Sequence, residues 1–419
     1  MNFAYFCGLW KIKNCEQTTM ANEQEGKYDF IDALRGFAIV VVIVHHAMRA
    51  VALHSAMGKP GLMSSWLQTY WADGARGVQL FFVISALTLC LSAAKRSTDA
   101  FPWTDFAIRR LFRIAPMFYA AFAYFCFWPM FRGKFGTDIP SLSNILTTLT
   151  FVNGWFPAFI TSHVLVPGGW SVSMEMSFYA IFPALFIVVR TLRRSLAALC
   201  VSLVLTFVAN RLLLSNGSSG NRLDLETFAF FWLPNQLPVF ISGFALYHVL
   251  FGPRSAAVVT WLQEQPRYLQ AAEIAVLVVA PFMPFLHIPG IPSHFQYAIF
   301  IALVVTLLRF RRSTVLVNKV ICFVGKISYS AYLIHFAVLA RVIQILNTRG
   351  FNGTLSADEY WLILSVATVI GTVAIATITH RFIEEPGQRV GKRLIDTLVA
   401  RRTTAQRRRN AVSKDAAIW

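Results

Sequence analysis

Arg35 and His46 stand eleven residues apart in an apolar run that opens with Asp32-Ala33-Leu34-Arg35-Gly36 and closes at His45-His46. On an α-helix this separation is about 1100° of rotation, three turns plus roughly 20°, so the two side chains share a face and lie ~16 Å apart along the axis. An ionisable group inside a membrane-crossing helix costs ~2.5–3.5 kcal/mol at the helix centre when charged, and usually faces a cavity or the bundle interior. An imidazole that titrates near neutrality can take up a proton. Helix geometry alone leaves two other readings open: Arg35 as a boundary anchor that snorkels, and His46 as a neutral side chain hydrogen-bonded within a bundle. His45 points about 100° away from His46 and is given no role.

The elements that must hold these side chains are membrane helices. The chain has 419 residues, of which 56% are hydrophobic and 14% charged. That leaves too little polar surface to cover soluble domains of this total size. Long apolar windows fall near 31–52, 77–95, 114–131, 172–190, 196–214, 232–251, 270–287, 294–309, 327–347 and 360–382, each close to the ~20 residues that a hydrocarbon core of roughly 30 Å requires. The expected fold is therefore all-α, a polytopic transmembrane bundle of about ten spans. Three regions are expected: a cytoplasmic extension over 1–30, the membrane domain over 31–386, and a basic, disordered cytoplasmic tail over 387–419.

A net charge of +18 could suggest nucleic acid, but the basic residues are spread between hydrophobic spans. Their pattern fits a membrane topology instead. With ten spans and both termini inside, 29 of the 38 Lys and Arg residues fall in inner segments and 9 in outer ones, the bias of the positive-inside rule. The semi-apolar stretch 142–160 contains Asn153, Gly154 and Pro157. If it crossed the membrane, every later loop would swap sides, so it is read as non-crossing. The arginines of the tail, Arg401, Arg402 and Arg407 to Arg409, suit a position near anionic lipid. Six separated cysteines and no paired spacing predict neither a disulfide framework nor a metal site. Residues Met1 to Tyr28 do not read as a cleaved signal peptide, and Met20 is an alternative initiator.

Asp32 to Gly36 with His46, Gly77 to Ser85, Arg109 to Pro116, Trp170-Ser171-Val172-Ser173-Met174-Glu175, Gly325 to His335 and Arg381 to Pro386 follow one another along the chain, and in that set the chain resembles membrane acyltransferase family 3, enzymes that O-acylate bacterial surface glycans and related acceptors. Arg35, ten intervening residues and His46 match the family's first signature, and the later runs are similar to its later motifs, in the same order. Ala86 and Met176 depart from the usual pattern, where a Gly and a second acidic residue are common. The resemblance covers residues 31 to 390.

The resemblance implies transfer from a thioester to a hydroxyl, which requires a base for the hydroxyl proton. His46 is the candidate base, acting directly or through an acyl-imidazole. Glu175, at the outer start of the fourth span, is at comparable depth and could orient that imidazole; a helix N-terminal charge is the other reading. The donor is then acyl-CoA, foremost acetyl-CoA, a substrate and not a bound cofactor. Arg109, Arg110 and Arg113, expected on the loop before the third span, would hold its phosphates, unless they are topology anchors. Arg35 would line the donor's path. Trp170, Ser171, Ser173, Tyr329 and His335 are further candidates for substrate contact, although His335 could be a structural histidine bonded to Tyr329 or a nearby Ser. The implied acceptor is a hydroxyl of an extracytoplasmic glycan, such as polysaccharide, lipopolysaccharide or a lipid-linked sugar. The implied location is the inner membrane, among lipids and away from nucleic acid. A tail of this length is expected to be too short for an appended esterase-like domain.

Two readings compete. A secondary transporter or flippase also uses buried Arg, His and Glu, but no paired broken helices mark corresponding halves of the sequence. A catalytically silent sensor would not depend on His46.

Overall fold

Apolar runs of this length become helices because a backbone in hydrocarbon must satisfy its N–H and C=O groups internally. The computed structural model describes residues 29–56, 62–96, 102–131, 140–215, 222–252, 260–261, 264–285, 293–310 and 315–416, and every regular element among them is helical. The expected extension up to Tyr28, with Met1, Met20, Cys7 and Cys15, lies outside the described residues.

Helix α1 (Asp29–Ala56) carries Asp29 and Asp32 in its first turn, where carboxylates complement the positive end of the helix dipole. A short α2 (Ser65–Ala72) leads through a 3-10 turn (Asp73–Arg76) into α3 (Gly77–Lys95), and α4 (Pro102–Phe131) follows. The stretch read as non-crossing contains two short helices, α5 (Leu142–Leu149) and α6 (Pro157–Thr161). An eight-residue helix rises only about 12 Å, so neither spans the hydrocarbon. Then come α7 (Gly169–Val188), α8 (Leu192–Ser215), α9 (Arg222–Phe231), α10 (Leu233–Phe251), α11 (Pro266–Val279) and α12 (Ser293–Phe310). The C-terminal part holds α13 (Lys319–Lys326), α14 (Ser328–Thr348), α15 (Phe351–Thr354), α16 (Ala357–Thr379), a π-turn (His380–Glu384) and α17 (Glu385–Ala416).

Seven helical stretches among the described residues are long and apolar enough to cross a membrane: those of α1, α2–α3, α7, α8, α9–α10, α14 and α16–α17. The protein is an all-α integral membrane protein. Three further helices stand where the sequence places spans: α4, of 30 residues with Asp105 and its three arginines confined to the first half, α11 with 14 residues, and α12 with the short apolar stretch Phe295–Phe310.

Two expectations are corrected. Arg109, Arg110 and Arg113 lie within α4, not on a loop, because the helix starts at Pro102. Proline fits the first turn of a helix, and Asp105 adds an acidic first turn. The tail is also no irregular extension: α17 continues to Ala416, with Pro386 in its first turn, and packs on α4 at Phe112 and Pro116. Glu384 is buried where the π-turn meets α14; it accepts from Ser330 Oγ at 2.8 Å and lies 3.0 Å from His380 Nδ1. The last motif therefore fastens the C-terminal helices to α14.

Arg35 is set in place by a close helix crossing. A Cβ on Gly36 would lie 2.2 Å from the Ile321 carbonyl oxygen, and one on Gly325 would lie 1.7 Å from that of Asp32. Helices α1 and α13 thus touch backbone to backbone on both sides of Arg35. Gly325→Ala is expected to destabilise the protein by roughly 1–3 kcal/mol or more, because the clash is with backbone and cannot be relieved by a rotamer. A thermal melt of the detergent-solubilised variant checks this, and an unchanged midpoint would contradict the close crossing.

Candidate active site

Five helices meet around a buried cavity of about 70 Å³. Helix α1 supplies Arg35, α3 supplies Phe81, Ser85 and Thr88, and α4 supplies Arg110 and Arg113. Helix α7 supplies Ser171, Glu175 and Tyr179, and α14 supplies Tyr329 and Tyr332. Three guanidiniums face one carboxylate in this lining, so the cavity favours an anionic or strongly dipolar guest.

Arg35 and Glu175 are held by hydrogen bonds, and Arg110 by ring faces. Arg35 donates from Nη1 to Asp32 Oδ1 and from Nη2 to Thr88 Oγ1, both at 3.5 Å. Thr88 in turn donates to the Ser85 carbonyl at 3.0 Å. Glu175 Oε1 accepts from Ser85 Oγ at 2.6 Å and from the Tyr179 hydroxyl, one turn along the same helix. The Arg110 guanidinium carbon sits 5.8 Å from the Tyr179 ring centre and 5.7 Å from that of Phe106, within cation–π range. Tyr329 donates to the Ile114 carbonyl at 2.8 Å, which joins α14 to α4 just past Arg113.

Tyr332 forms the roof on the side toward His46. Ser171 donates to the Tyr332 hydroxyl at 2.8 Å, and Tyr332 donates to the Gly168 carbonyl at 3.0 Å. Gly168 has φ +76, and a Cβ there would press against the tyrosine hydroxyl at 3.0 Å. A side chain at this position would be strained twice over, by its left-handed backbone and by the contact.

His46 lies beyond this roof and outside the cavity lining. Its ring is 5.2 Å from that of His335 and 4.5 Å from that of Phe336, centre to centre. His335 is fully buried and places Nδ1 2.6 Å from the Tyr332 carbonyl. A carbonyl only accepts, so Nδ1 carries the proton and Nε2 presents a lone pair. That Nε2 has no partner among the described residues. The Tyr332 ring is 5.7 Å from the His335 ring and 6.3 Å from the Phe81 ring, so it stands between the arginine cavity and the imidazole pair.

The structure thus gathers Arg35, Arg110, Arg113, Glu175, Ser171 and Tyr329 in one place, and His46 with His335 in the next. Glu175 keeps company with Ser85 and Tyr179 in the Arg35 cavity, while the imidazole beside His46 is that of His335; the expected orienting contact from Glu175 to His46 is not the arrangement seen. Arg109 lines a different cavity. Ser173 is buried and binds backbone: it donates to the Phe151 carbonyl at 2.6 Å and accepts from Gly154 N at 3.1 Å. This clasp holds Phe151 at φ 62, a conformation costly for a bulky residue. Trp170 packs on Phe231 and Phe82 with ring centres 4.3 and 6.1 Å away. Sequence reasoning passed over Thr88 and Tyr179 and quoted Ser85 and Tyr332 only as parts of motifs. Tyr179, one helical turn after Glu175, and Tyr332, three residues before His335, had a helical-spacing signal.

Residues 28–381 match the family model of an acyltransferase domain. Among curated relatives, the regulator of hypoxia-inducible factor 1 of Caenorhabditis elegans is 21% identical, covering 88% of this chain and 81% of its own length. The peptidoglycan O-acetyltransferase OatA of Listeria monocytogenes is 23% identical over 86% of this chain, and O-acetyltransferase OatA of Staphylococcus aureus is 24% identical over 86%. The chain spans 56% and 57% of the length of these two OatA relatives. No solved structure matches.

Proposed function

The chain belongs to this acyltransferase family, with residues 28–381 of its 419 inside the matching domain, and from that premise we propose that it is a membrane O-acyltransferase carrying acetyl, or a similar short acyl group, from cytoplasmic acyl-CoA to a hydroxyl of an extracytoplasmic or lipid-linked glycan. The relatives named as O-acetyltransferases support the acetyl group, and the peptidoglycan named for one of them supports a glycan acceptor. The observation that carries the reading is the pairing of two compartments: three arginines and one carboxylate around a buried cavity, and two imidazoles directly past the Tyr332 ring.

In this reading the protein lies in the inner membrane with both termini cytoplasmic, and the thioester enters at the Arg35 level. The rings of Phe81 and Tyr332 admit the slim acyl-pantetheine end toward His46. His46 takes the proton of the acceptor hydroxyl as its oxygen attacks the thioester carbonyl; the C–S bond then breaks, the ester remains, and the thiolate recovers the proton. The lone pair of His335 Nε2 gives the neighbouring imidazole or the acceptor hydroxyl a polar partner in a site that burial would otherwise make costly. Arg35 lines the donor path. Glu175 keeps Ser85 and Tyr179 in place and offsets part of the arginine charge, a positioning role.

Release of free thiol from acetyl-CoA by the purified protein, with and without a glycan acceptor, separates this reading from a transporter. Acceptor-dependent release is expected; intact acetyl-CoA in the presence of acceptor would favour transport. Arg113→Ala is expected to raise the donor KM by roughly tenfold to hundredfold with little change in kcat, since a charge-assisted hydrogen bond contributes about 1.5–3 kcal/mol. An unchanged donor dependence in initial-rate measurements would return Arg113 to a purely topological role.

A further inference from the structure

The 70 Å³ cavity at Arg35 has room for the slim end of a donor but not for a nucleotide. A second cavity, of about 390 Å³, opens beside it. It lies where the C-terminal ends of α3, α7 and α10 meet the first turns of α4, and its volume falls in the range of small-molecule sites. Its lining includes Arg96, Arg109, Arg190, Trp103, Phe106 and His248, and no carboxylate among the described residues. Arg190 is exposed and donates from Nε to the Ile187 carbonyl at 2.7 Å, which aims the rest of the guanidinium from a fixed stem. Arg96 reaches Ser92 Oγ at 3.4 Å, and His248 Nε2 lies 3.0 Å from the Val189 carbonyl. Trp103 is held edge-on by Phe106 and Phe186, with ring centres 6.3 and 6.1 Å away.

The two cavities share a wall. Phe106 lines the larger and Tyr179 the smaller, their ring centres are 6.2 Å apart, and the Arg110 guanidinium lies over both. Arg109 and Arg113 are one turn apart on α4, so they share a side of that helix, the first facing the larger cavity and the second the smaller. Positive charge therefore runs without a break from one cavity to the other.

We propose that the larger cavity seats the 3′-phospho-ADP end of the donor, with Arg96 and Arg190 on its phosphates and Trp103 against its base, while the pantetheine arm passes Arg110 into the smaller cavity. This rests on the acyl-CoA reading above and adds the nucleotide's seat to it. Guanidinium forks match phosphate oxygens in pairs, and a tryptophan face accepts any base by stacking. An anionic lipid headgroup carries the same phosphate chemistry, so the experiment has to tell the two apart.

The protein is purified into nanodiscs, and wild type, Arg96→Ala, Arg190→Ala and Arg190→Glu are compared with acetyl-CoA and with S-acetylpantetheine as donors. Expected is a KM for acetyl-CoA raised about tenfold or more in each variant, with kcat/KM for S-acetylpantetheine unchanged. Adenosine 3′,5′-bisphosphate should compete with acetyl-CoA in wild type and lose that effect in the variants. Unchanged KM values and unchanged inhibition in all three would overturn the assignment. So would a loss of activity at constant KM that phosphatidylglycerol in the nanodisc restores, because that marks a lipid seat. Equilibrium binding of radiolabelled CoA, which needs no turnover, separates the two readings. Binding that depends on Arg96 and Arg190 without transfer would sink the acyl-transfer chemistry and keep the seat; transfer indifferent to both arginines would do the reverse.

Discussion

His46→Ala is expected to lower acyl transfer by roughly a hundred- to ten-thousandfold, the usual range for removal of a general acid–base group, while the protein inserts and purifies as wild type. The second half of that expectation follows from the surroundings of the ring. His46 is only partly buried and its neighbours are His335 and Phe336, so truncation leaves a small gap beside a neutral imidazole and a phenyl ring instead of an unpaired charge. Steady-state transfer at saturating donor, with monodispersity on gel filtration as the folding control, reads both. Normal transfer by a well-folded His46→Ala protein would remove the imidazole from the mechanism. Donor KM should move little, because the arginine cavity lies on the far side of Tyr332.

Arg35→Ala is expected to lower kcat/KM for the donor by roughly a hundred- to a thousandfold, the cost seen when one preorganised hydrogen-bond donor is deleted from an active site. Arg35 is more than a surface anchor here. Its side chain is 17% exposed, holds Thr88 and Asp32, and lines the cavity with Arg110, Arg113 and Glu175. Arg35→Lys keeps the charge and loses the fork that bridges Asp32 and Thr88, so partial activity between wild type and Ala is expected. Equal activity of Ala, Lys and wild type would show that the residue only anchors the helix. The effect should fall on donor use: at fixed donor, the acceptor KM of Arg35→Ala is expected to stay near that of wild type.

The part of this site that helical periodicity controls was readable from sequence. Arg35 and His46 share a face of one helix, and both do look inward, one into the cavity and one onto His335. What periodicity cannot give is which residues of distant helices meet. Glu175 was matched to His46 by depth alone, and depth says nothing about azimuth; α7 in fact turns Glu175 toward Ser85 on α3. The arginines of α4 were misplaced for a different reason. The third span was read from its apolar window as starting near residue 114, although Pro102 and Asp105 carry a start signal ahead of it, and the error moved Arg109, Arg110 and Arg113 from a helix face to a loop. Once they are on a helix, their 100° increments explain why neighbours in sequence face different cavities. In the tail, the helix runs on through the π-turn and Pro386, and the region 387–419 read as disordered is helical as far as Ala416.

In the proposed function, one thioester consumed at the cytoplasmic face yields one ester on the other side, by way of the Arg35 cavity and His46. Membrane vesicles with the cytoplasmic face outward, loaded with glycan acceptor and given acetyl-CoA labelled in the acetyl group, measure this directly. Labelled ester on the enclosed glycan is expected, with one thiol released outside for each acetyl transferred and neither product from His46→Ala vesicles. Label that stays on coenzyme A, or His46→Ala vesicles that transfer at the wild-type rate, would contradict it.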